Sequence, residues 1–212
     1  MMKQSIAEPL PRREALFLIL GVVLVLIWSG VFPRDRLTWF MEVIWVMIGL
    51  PLVIWAWKRF PLTRLLCWLL AIHAVILMVG GRYTYVEVPI GLWIRDAFDL
   101  SRNHYDRLGH FAQGFIPAIL ARELLLRRTQ LRPGPWLFYL VVSCSLAFSA
   151  FFEFLEWWAA VAMGGRADAF LATQGDIWDT QWDMFLAMCG AILAQLILAK
   201  MHNRQIGVSA PH

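Results

Sequence analysis

The sequence predicts an all-α, polytopic membrane helix bundle with about six transmembrane helices. Of its 212 residues, 60% are hydrophobic and only 16% are charged, which is far from the balance of a soluble domain. Apolar segments recur along the chain with lengths near the roughly 20 residues that a helix needs to cross a ~30 Å hydrocarbon layer. Short polar connections separate these segments. Lipid is therefore expected to surround most of the chain.

Six apolar segments are expected to span the membrane within one integral membrane domain, residues 1–212. They are Ala15–Phe32, Trp39–Trp57, Leu62–Val79, His110–Leu126, Trp136–Met163 and Trp182–Met201. Arg12 and Arg13 precede the first segment, as basic residues precede the apolar region of a signal peptide. That segment is long and lacks a clear small-residue cleavage pattern, so an uncleaved membrane helix is expected.

The connection Gly80–Gly109 is long and includes an amphipathic stretch, Ile90–Leu100. Trp93, Ile94 and Phe98 supply its apolar side chains. Two interpretations remain open. The stretch could be a short helix lying on the membrane surface, or an ordered loop with one helical turn.

The basic residues indicate membrane topology and argue against nucleic acid as a partner. The formal charge is +4, but Lys and Arg lie at the ends of apolar segments and form no single patch. Both termini are expected to be cytoplasmic in a bacterial inner membrane, because this orientation puts the larger basic set inside. The inside set is Lys3, Arg12, Arg13, Lys58, Arg59, Arg64, Arg122, Arg127, Arg128, Arg132, Lys200 and Arg204. The outside set is Arg34, Arg36, Arg82, Arg95, Arg102, Arg107 and Arg166.

Polar residues within the predicted helices or at their edges form two groups that point to a site. Asp106 and His110 are four residues apart and therefore share a helix face, which Gln113 continues. In the fifth segment, Glu153 and Glu156 extend a stripe that begins with Ser145 and Ser149. Charged side chains are costly in lipid and are commonly functional there, so both groups are expected to face the bundle interior.

A third group, GDIWDTQWDM, leads into the sixth segment. Asp179 and Asp183 share a face that continues with Ala187, Gly190 and Ala194, and small residues at this spacing allow close helix contact. Asp176 and Gln181 belong to the same motif.

The predicted topology brings these three groups to one extracytoplasmic site. Its candidate ligands are Asp106, His110, Glu153, Glu156, Asp176, Asp179 and Asp183, and a second tier comprises Glu42, His73, Gln113 and Gln181. So many carboxylates require compensation, because like charges disfavour ionisation of one another. A divalent cation (Mg²⁺, Mn²⁺, Ca²⁺ or Zn²⁺) would suit carboxylates with one imidazole. Outer-loop Arg residues, protonation or a cationic substrate would also serve.

The segments DRLGHFAQGF, FFEFLEWW and GDIWDTQWDM, in that order, resemble the YjdF-type family of bacterial inner membrane proteins. The resemblance covers nearly the whole chain and implies a multi-pass inner membrane protein, but it assigns no activity to any residue. A more distant likeness is to VanZ-like membrane proteins, which carry acidic and His motifs in comparable helices and are linked to the cell envelope.

Three functions remain open from the sequence. The site could bind a divalent cation or a polar lipid-linked or envelope ligand, with His110 as ligand or base. It could be the Glu relay of an ion-coupled transporter, although no inverted repeat is evident. The polar residues could instead be a structural network in an accessory protein. Enzyme activity, substrate and oligomeric state stay undetermined, since HExxH, EExxxR and PSGH motifs are missing from the sequence.

Overall fold

A computed structural model of the protein describes residues 10–163 and 168–208. Regular structure in these residues is helical throughout. In chain order the helices are α1 (Arg12–Gly30), α2 (Arg36–Ala56), α3 (Arg64–Tyr83), α4 (Pro89–Ala97), α5 (Tyr105–Arg128), α6 (Pro135–Met163), α7 (Asp168–Leu171) and α8 (Asp179–Ile206). The positive-inside rule predicts a side of the membrane for both chain termini and for Arg166. These residues lie outside the described residues.

Five helices, namely α1, α2, α3, α6 and α8, are long and apolar enough to cross a membrane. The sixth long helix, α5, has 24 residues and is much more polar. It packs against α3, α6 and α8, which shield its polar side chains from lipid. Arg122 and Glu123 of α5 are both buried in protein. Protein partners can neutralise charges that lipid would not tolerate. The chain is thus an all-α polytopic membrane bundle of about six spans.

Several helices extend beyond the apolar segments that predict them. α5 begins at Tyr105 instead of His110, and α8 begins at Asp179 instead of Trp182. Hydropathy identifies only the apolar part of a helix. Acidic residues such as Asp106 and Asp179 are favourable in a first turn, where they face the positive end of the helix dipole.

Two short helices lie in connections. The amphipathic stretch of the Gly80–Gly109 connection forms the nine-residue helix α4, in which Ile90 and Trp93 are exposed. A short helix with exposed apolar side chains is expected to contact the headgroup region. α7 contacts α2 and α6, and its Phe170 packs with Phe152 of α6.

The most extensive helix contact joins α5 and α8. A Cβ atom on Gly114 of α5 would overlap the backbone of Ala187, and one on Gly190 of α8 would overlap the backbone of Phe111 and Phe115. Only glycine allows two helix backbones to approach this closely. The contact therefore sets the register between the start of α5 and the start of α8.

A buried polar network, here called the Glu123 network, joins α3, α5 and α8 at the opposite end of α5. The Glu123 carboxylate accepts hydrogen bonds from the Thr63 hydroxyl at 2.7 Å, the Thr63 backbone N–H at 3.0 Å and Arg127 at 2.6 Å. Its Oε2 atom also lies 3.1 Å from His202 Nε2.

The hydrogen bonds of this network determine the tautomer of His202. Arg122 Nη1 lies 2.9 Å from His202 Nδ1, and a guanidinium can only donate. Nδ1 is therefore the acceptor, and Nε2 carries the proton that is donated to Glu123. A second Arg122 nitrogen donates to Asn203 at 2.6 Å.

Substitution Gly190→Ala is expected to lower the thermal unfolding temperature in detergent, because the added methyl group would force α5 and α8 apart. Overpacking of this kind costs about 1–3 kcal/mol. Gly21→Ala is the matched control, since nothing lies within 4 Å of a Cβ atom there. Equal unfolding temperatures for the two variants would contradict the close-contact interpretation.

Substitution Glu123→Gln should destabilise the fold by about 1–3 kcal/mol, because the donors around Glu123 lose a charged acceptor in a buried place. Thermal unfolding in detergent measures the effect. Glu87→Gln removes a carboxylate from an exposed ion pair with Arg34 and should change stability little. A Glu123→Gln variant as stable as wild type would show that the network does not hold the bundle together.

Candidate functional site

The candidate site lies among α5, α6 and α8, near the beginning of α5 and α8. His110 of α5 is its centre. The His110 Nε2 atom lies 3.6 Å from Asp106 Oδ1 and 3.8 Å from Asp183 Oδ2, and the Nδ1 atom lies 3.8 Å from Glu153 Oε1. These four residues and Glu156 are buried, and together they are called the His110 cluster below.

Local structure explains how the residues of the cluster come together. Asp106 and His110 lie one turn apart on α5, while Glu153 and Glu156 lie one turn apart on α6. The stripe predicted for α6 faces the interior, since both serines and both glutamates are buried. Asp183 lies on the face of α8 that also carries Gly190 and packs against α5.

Asn103 anchors the beginning of α5. Its side-chain oxygen accepts from the backbone N–H of Tyr105 at 3.0 Å, and its amide nitrogen donates to the carbonyls of Val86 at 2.8 Å and Val88 at 3.1 Å. A Cβ atom on Gly91 of α4 would overlap the Asn103 side chain. The connection between α3 and α5 therefore positions the first turn of α5, on which Asp106 lies.

The cluster contains two groups of three residues whose ligand atoms lie within 4.8 Å of one another. One group is Asp106, His110 and Asp183, and the other is His110, Glu153 and Glu156. Two ligands of one ion, each about 2.0–2.6 Å from it, are at most ~5 Å apart. Each group is therefore compact enough to hold one metal ion, and His110 belongs to both.

Several polar atoms of the cluster lack hydrogen-bond partners among the described residues. They are Asp106 Oδ2, His110 Nδ1, Glu153 Oε1 and Asp183 Oδ1, accompanied by Gln113 Nε2, Ser145 Oγ and Ser149 Oγ nearby. Buried polar atoms in folded proteins are nearly always hydrogen-bonded, and the exceptions call for an explanation. A cation or a polar ligand would supply the missing partners.

The Glu123 network differs in this respect. Within the described part of the chain, no buried side-chain nitrogen or oxygen of Thr63, Glu123 or His202 lacks a partner. The same bundle thus contains one buried polar cluster that is complete and one that is not.

Asp176 and Asp179 are neutralised by arginines next to the cluster. Arg102 lies 2.8 Å from Asp179 and 3.4 Å from Asp176, and Arg107 lies 2.8 Å from Asp176. The second guanidinium nitrogen of Arg102 lies 3.8 Å from Asp106 Oδ2. Arginines at and just before the beginning of α5 therefore compensate these two predicted ligands, and they leave the His110 cluster with little positive charge.

The second-tier residues divide into separate environments. Glu42 accepts a hydrogen bond from the Tyr85 hydroxyl at 3.0 Å. Burial raises the pKa of Tyr85 well above its usual value, so the hydroxyl keeps the proton it donates. The Nε2 atom of His73 is buried without a partner among the described residues. Gln181 is exposed and does not face the cluster, because it lies two residues from both Asp179 and Asp183 on α8 and so points elsewhere.

A cavity of about 730 Å³ adjoins the cluster between α1, α2, α3, α5 and α6. Polar side chains line one end, namely Glu42, Tyr85, Asp106, His110, Gln113 and Glu156, while apolar side chains line most of the remainder. Such a volume is typical of a small-molecule site.

The sequence did not predict the individual partners Arg102, Asn103 and Tyr85, nor the Glu123 network. Arg122 and Glu123 inside the fourth apolar segment were a usable signal, since charges are rare there. The apolar cavity has no signal in the sequence, because lining residues and lipid-facing residues are equally apolar.

Comparison with known proteins supports the resemblance drawn from the three motifs. The family model described as "Predicted membrane protein (DUF2238)" matches residues 14–204. The inner membrane protein YjdF of Escherichia coli (strain K12) is 50% identical over 187 residues, which are 88% of this chain and 90% of that protein. No solved structure matches the chain. Because the family model matches far more than half of the chain and includes the whole His110 cluster, the chain belongs to the DUF2238 family of predicted membrane proteins.

Proposed function

We propose that this chain is a multi-pass inner membrane protein whose His110 cluster binds a divalent cation on the extracytoplasmic side, and that the cation contacts the polar group of a lipid-linked or envelope ligand. One observation carries the proposal. The Glu123 network satisfies its buried polar groups, whereas the His110 cluster leaves atoms on Asp106, His110, Glu153 and Asp183 unpartnered among the described residues.

The charge of the cluster also favours a cation. Asp106, Glu153, Glu156 and Asp183 are four carboxylates around one imidazole, and like charges at this separation oppose one another's ionisation. Arg102 approaches only one of them, Asp106. A divalent ion would neutralise two carboxylates and replace repulsion with coordination.

The ligand types indicate which ions to test. Carboxylate oxygens suit Mg²⁺, Ca²⁺ and Mn²⁺, and an imidazole with carboxylates also suits Zn²⁺. His110 contributes to both groups of three, which favours an ion that accepts nitrogen as well as oxygen.

A cation in this position would face the polar end of the cavity, where Gln113 and Glu42 also lie. It could polarise a phosphoryl or carbonyl oxygen of the bound ligand. An imidazole not engaged with the ion could act as a base toward water or the ligand. Binding is therefore the proposed function, and hydrolysis is the reaction class that this arrangement would allow.

The proposed orientation rests on the positive-inside rule and on helix direction. The cluster combines the first turns of α5 and α8 with the later part of α6, so it lies at one end of the bundle. Arg122, Arg127 and Arg128 lie toward the other end of α5. Lys and Arg concentrate on the cytoplasmic side of membrane proteins, so the cluster is proposed to be extracytoplasmic and both termini cytoplasmic.

Cysteine labelling of the full-length protein in intact cells tests the orientation. A cysteine at Asp99, in the α4–α5 connection, should react with a membrane-impermeant maleimide before lysis. A cysteine at Arg132, between α5 and α6, should react only after lysis. The opposite pattern would move the cluster to the cytoplasmic side.

Thermal unfolding in detergent tests the cation site. One of Mg²⁺, Mn²⁺, Ca²⁺ or Zn²⁺ should raise the unfolding temperature of the wild type, since a ligand at 100 times its Kd stabilises by about 2.7 kcal/mol. Glu156→Gln and Asp183→Asn should lose this shift. Neither should be less stable than wild type without the ion, because each substitution relieves carboxylate repulsion.

Glu123→Gln is the matched control, because it neutralises a buried carboxylate of the other network. Its unfolding temperature should be lower throughout, but it should retain the ion-dependent shift. If no ion shifts the wild type and Glu156→Gln lowers its stability regardless of ions, the cluster is a structural network and the proposal is wrong.

A further inference from the structure

We infer that the cavity binds one hydrocarbon chain of a phosphorylated lipid, whose phosphate reaches the His110 cluster; this inference rests on the proposed cation site and names the class of its ligand. It is supported by the shape and lining of the cavity, by the unpartnered amide nitrogen of Gln113 next to the cluster, and by an opening toward lipid.

The cavity is elongated along the bundle. Its lining follows α2 from Glu42 to Ile54, a distance of about 18 Å at the helical rise of 1.5 Å per residue. It is mainly apolar between these two residues. A hydrocarbon chain fits a long apolar space with polar groups at one end, whereas a compact polar metabolite would leave most of the lining without polar contacts.

Two nearly fully buried polar side chains face the cavity: Gln113 lies one turn from His110, next to the cluster, whereas Ser145 lies about 12 Å from Glu153 along α6. Gln113 and Ser145 are 7% and 3% exposed, and both line the cavity. Gln113 Nε2 and Ser145 Oγ have no hydrogen-bond partner in the described residues. An amide nitrogen can only donate, so the missing partner of Gln113 is an acceptor. Phosphate oxygens are acceptors, and they also coordinate divalent cations readily.

The head of the ligand is therefore inferred to be anionic, although the cluster itself is acidic. A cation held by the carboxylates would bridge to the phosphate, and Gln113 would donate to one of its remaining oxygens. Without the cation, the four carboxylates would repel a phosphate. Binding of the lipid is thus expected to depend on the ion.

A lateral opening gives the chain a route from the bilayer. α2 and α6 meet mainly through aromatic side chains, where Trp45 contacts Phe148 and Phe152 at ring-centroid distances of 6.0 and 6.4 Å. Beyond these rings the cavity is lined by the exposed residues Leu52 and Cys144. A lipid in the membrane could enter here without passing through water.

Gly49 offers a way to fill the cavity without disturbing the cluster. It lines the cavity, and nothing lies within 4 Å of a Cβ atom at this position. Gly49→Phe should therefore place a ring in the space proposed for the chain. Gly21 is equally open and does not belong to the cavity lining, so Gly21→Phe is the matched control.

The test measures retention of hexadecyl phosphate by the full-length protein in detergent, using native mass spectrometry with the stabilising ion present. Wild type and Gly21→Phe should retain one molecule, while Gly49→Phe should lower the affinity at least tenfold. Removing the ion with a chelator should lower it in the wild type as well. Hexadecanol, which lacks the phosphate, and inorganic phosphate, which lacks the chain, should both bind more weakly than hexadecyl phosphate.

The ion-dependent rise in unfolding temperature separates the two proposals. Both glycine variants should retain that rise, which would show that they fold and that the cation site is intact. A wild type that shows the rise but retains no hexadecyl phosphate would overturn the lipid inference alone. A wild type without the rise would overturn the cation site and, with it, the lipid inference.

Three further outcomes would contradict the inference. Equal retention by Gly49→Phe and Gly21→Phe would place the chain outside the cavity. Stronger retention of hexadecyltrimethylammonium than of hexadecyl phosphate in the presence of the ion would show that the acidic cluster takes a cationic head directly. A change in oligomeric state caused by Gly49→Phe, with probe retention unchanged, would make the cavity an interface between copies of the chain.

Discussion

The close contact of α5 and α8 is the constraint on which the rest of the structure depends. Gly114 and Gly190 let the two backbones touch, and the contact is the most extensive between any two described helices. It brings His110 and Asp183 within 3.8 Å of each other at one end and His202 within 3.1 Å of Glu123 at the other. Lipid offers no hydrophobic driving force for helix association, so close packing and polar contacts have to supply it.

The same helix pair therefore carries two buried polar clusters with different chemistry. The Glu123 network combines a carboxylate with two arginines, an imidazole and a hydroxyl. The donors and acceptors in this mixture satisfy one another's hydrogen bonds. The His110 cluster is rich in carboxylates, which only accept hydrogen bonds when ionised. Acceptors cannot hydrogen-bond to one another, so protons, metal ions or donors from a ligand have to supply the missing partners of these carboxylates.

The arginines next to the His110 cluster compensate the carboxylates at its border. Arg102 and Arg107 pair with Asp176 and Asp179, and Arg102 itself is buried. These pairs neutralise the carboxylates at the beginning of α8 and leave those deeper along the helices uncompensated. Glu156, which no arginine in the described part of the chain approaches, lines the apolar cavity together with His110, so a ligand with an apolar chain would meet polar groups mainly at one end.

Much of the architecture follows from the sequence alone, because hydropathy and the cost of charge in lipid act on each segment locally. The apolar segments predict the long membrane helices, and a spacing of three or four residues predicts which face carries Asp106 and His110 or Glu153 and Glu156. The small residues after Asp183 indicate a close helix contact, although they do not name its partner.

Distances between residues far apart in the chain were decided only by the tertiary structure. The motif GDIWDTQWDM puts Asp176 and Asp179 in the same predicted group as Asp183, but Arg102 and Arg107 pair with the first two and leave the third in the cluster. Gln181 was grouped by proximity in the sequence, and its helix phase turns it outward. Thr63 precedes α3, while Glu123 and His202 lie on α5 and α8. The cavity is lined by side chains from five helices, α1, α2, α3, α5 and α6. Local rules describe one helix at a time, whereas these features depend on how the helices pack.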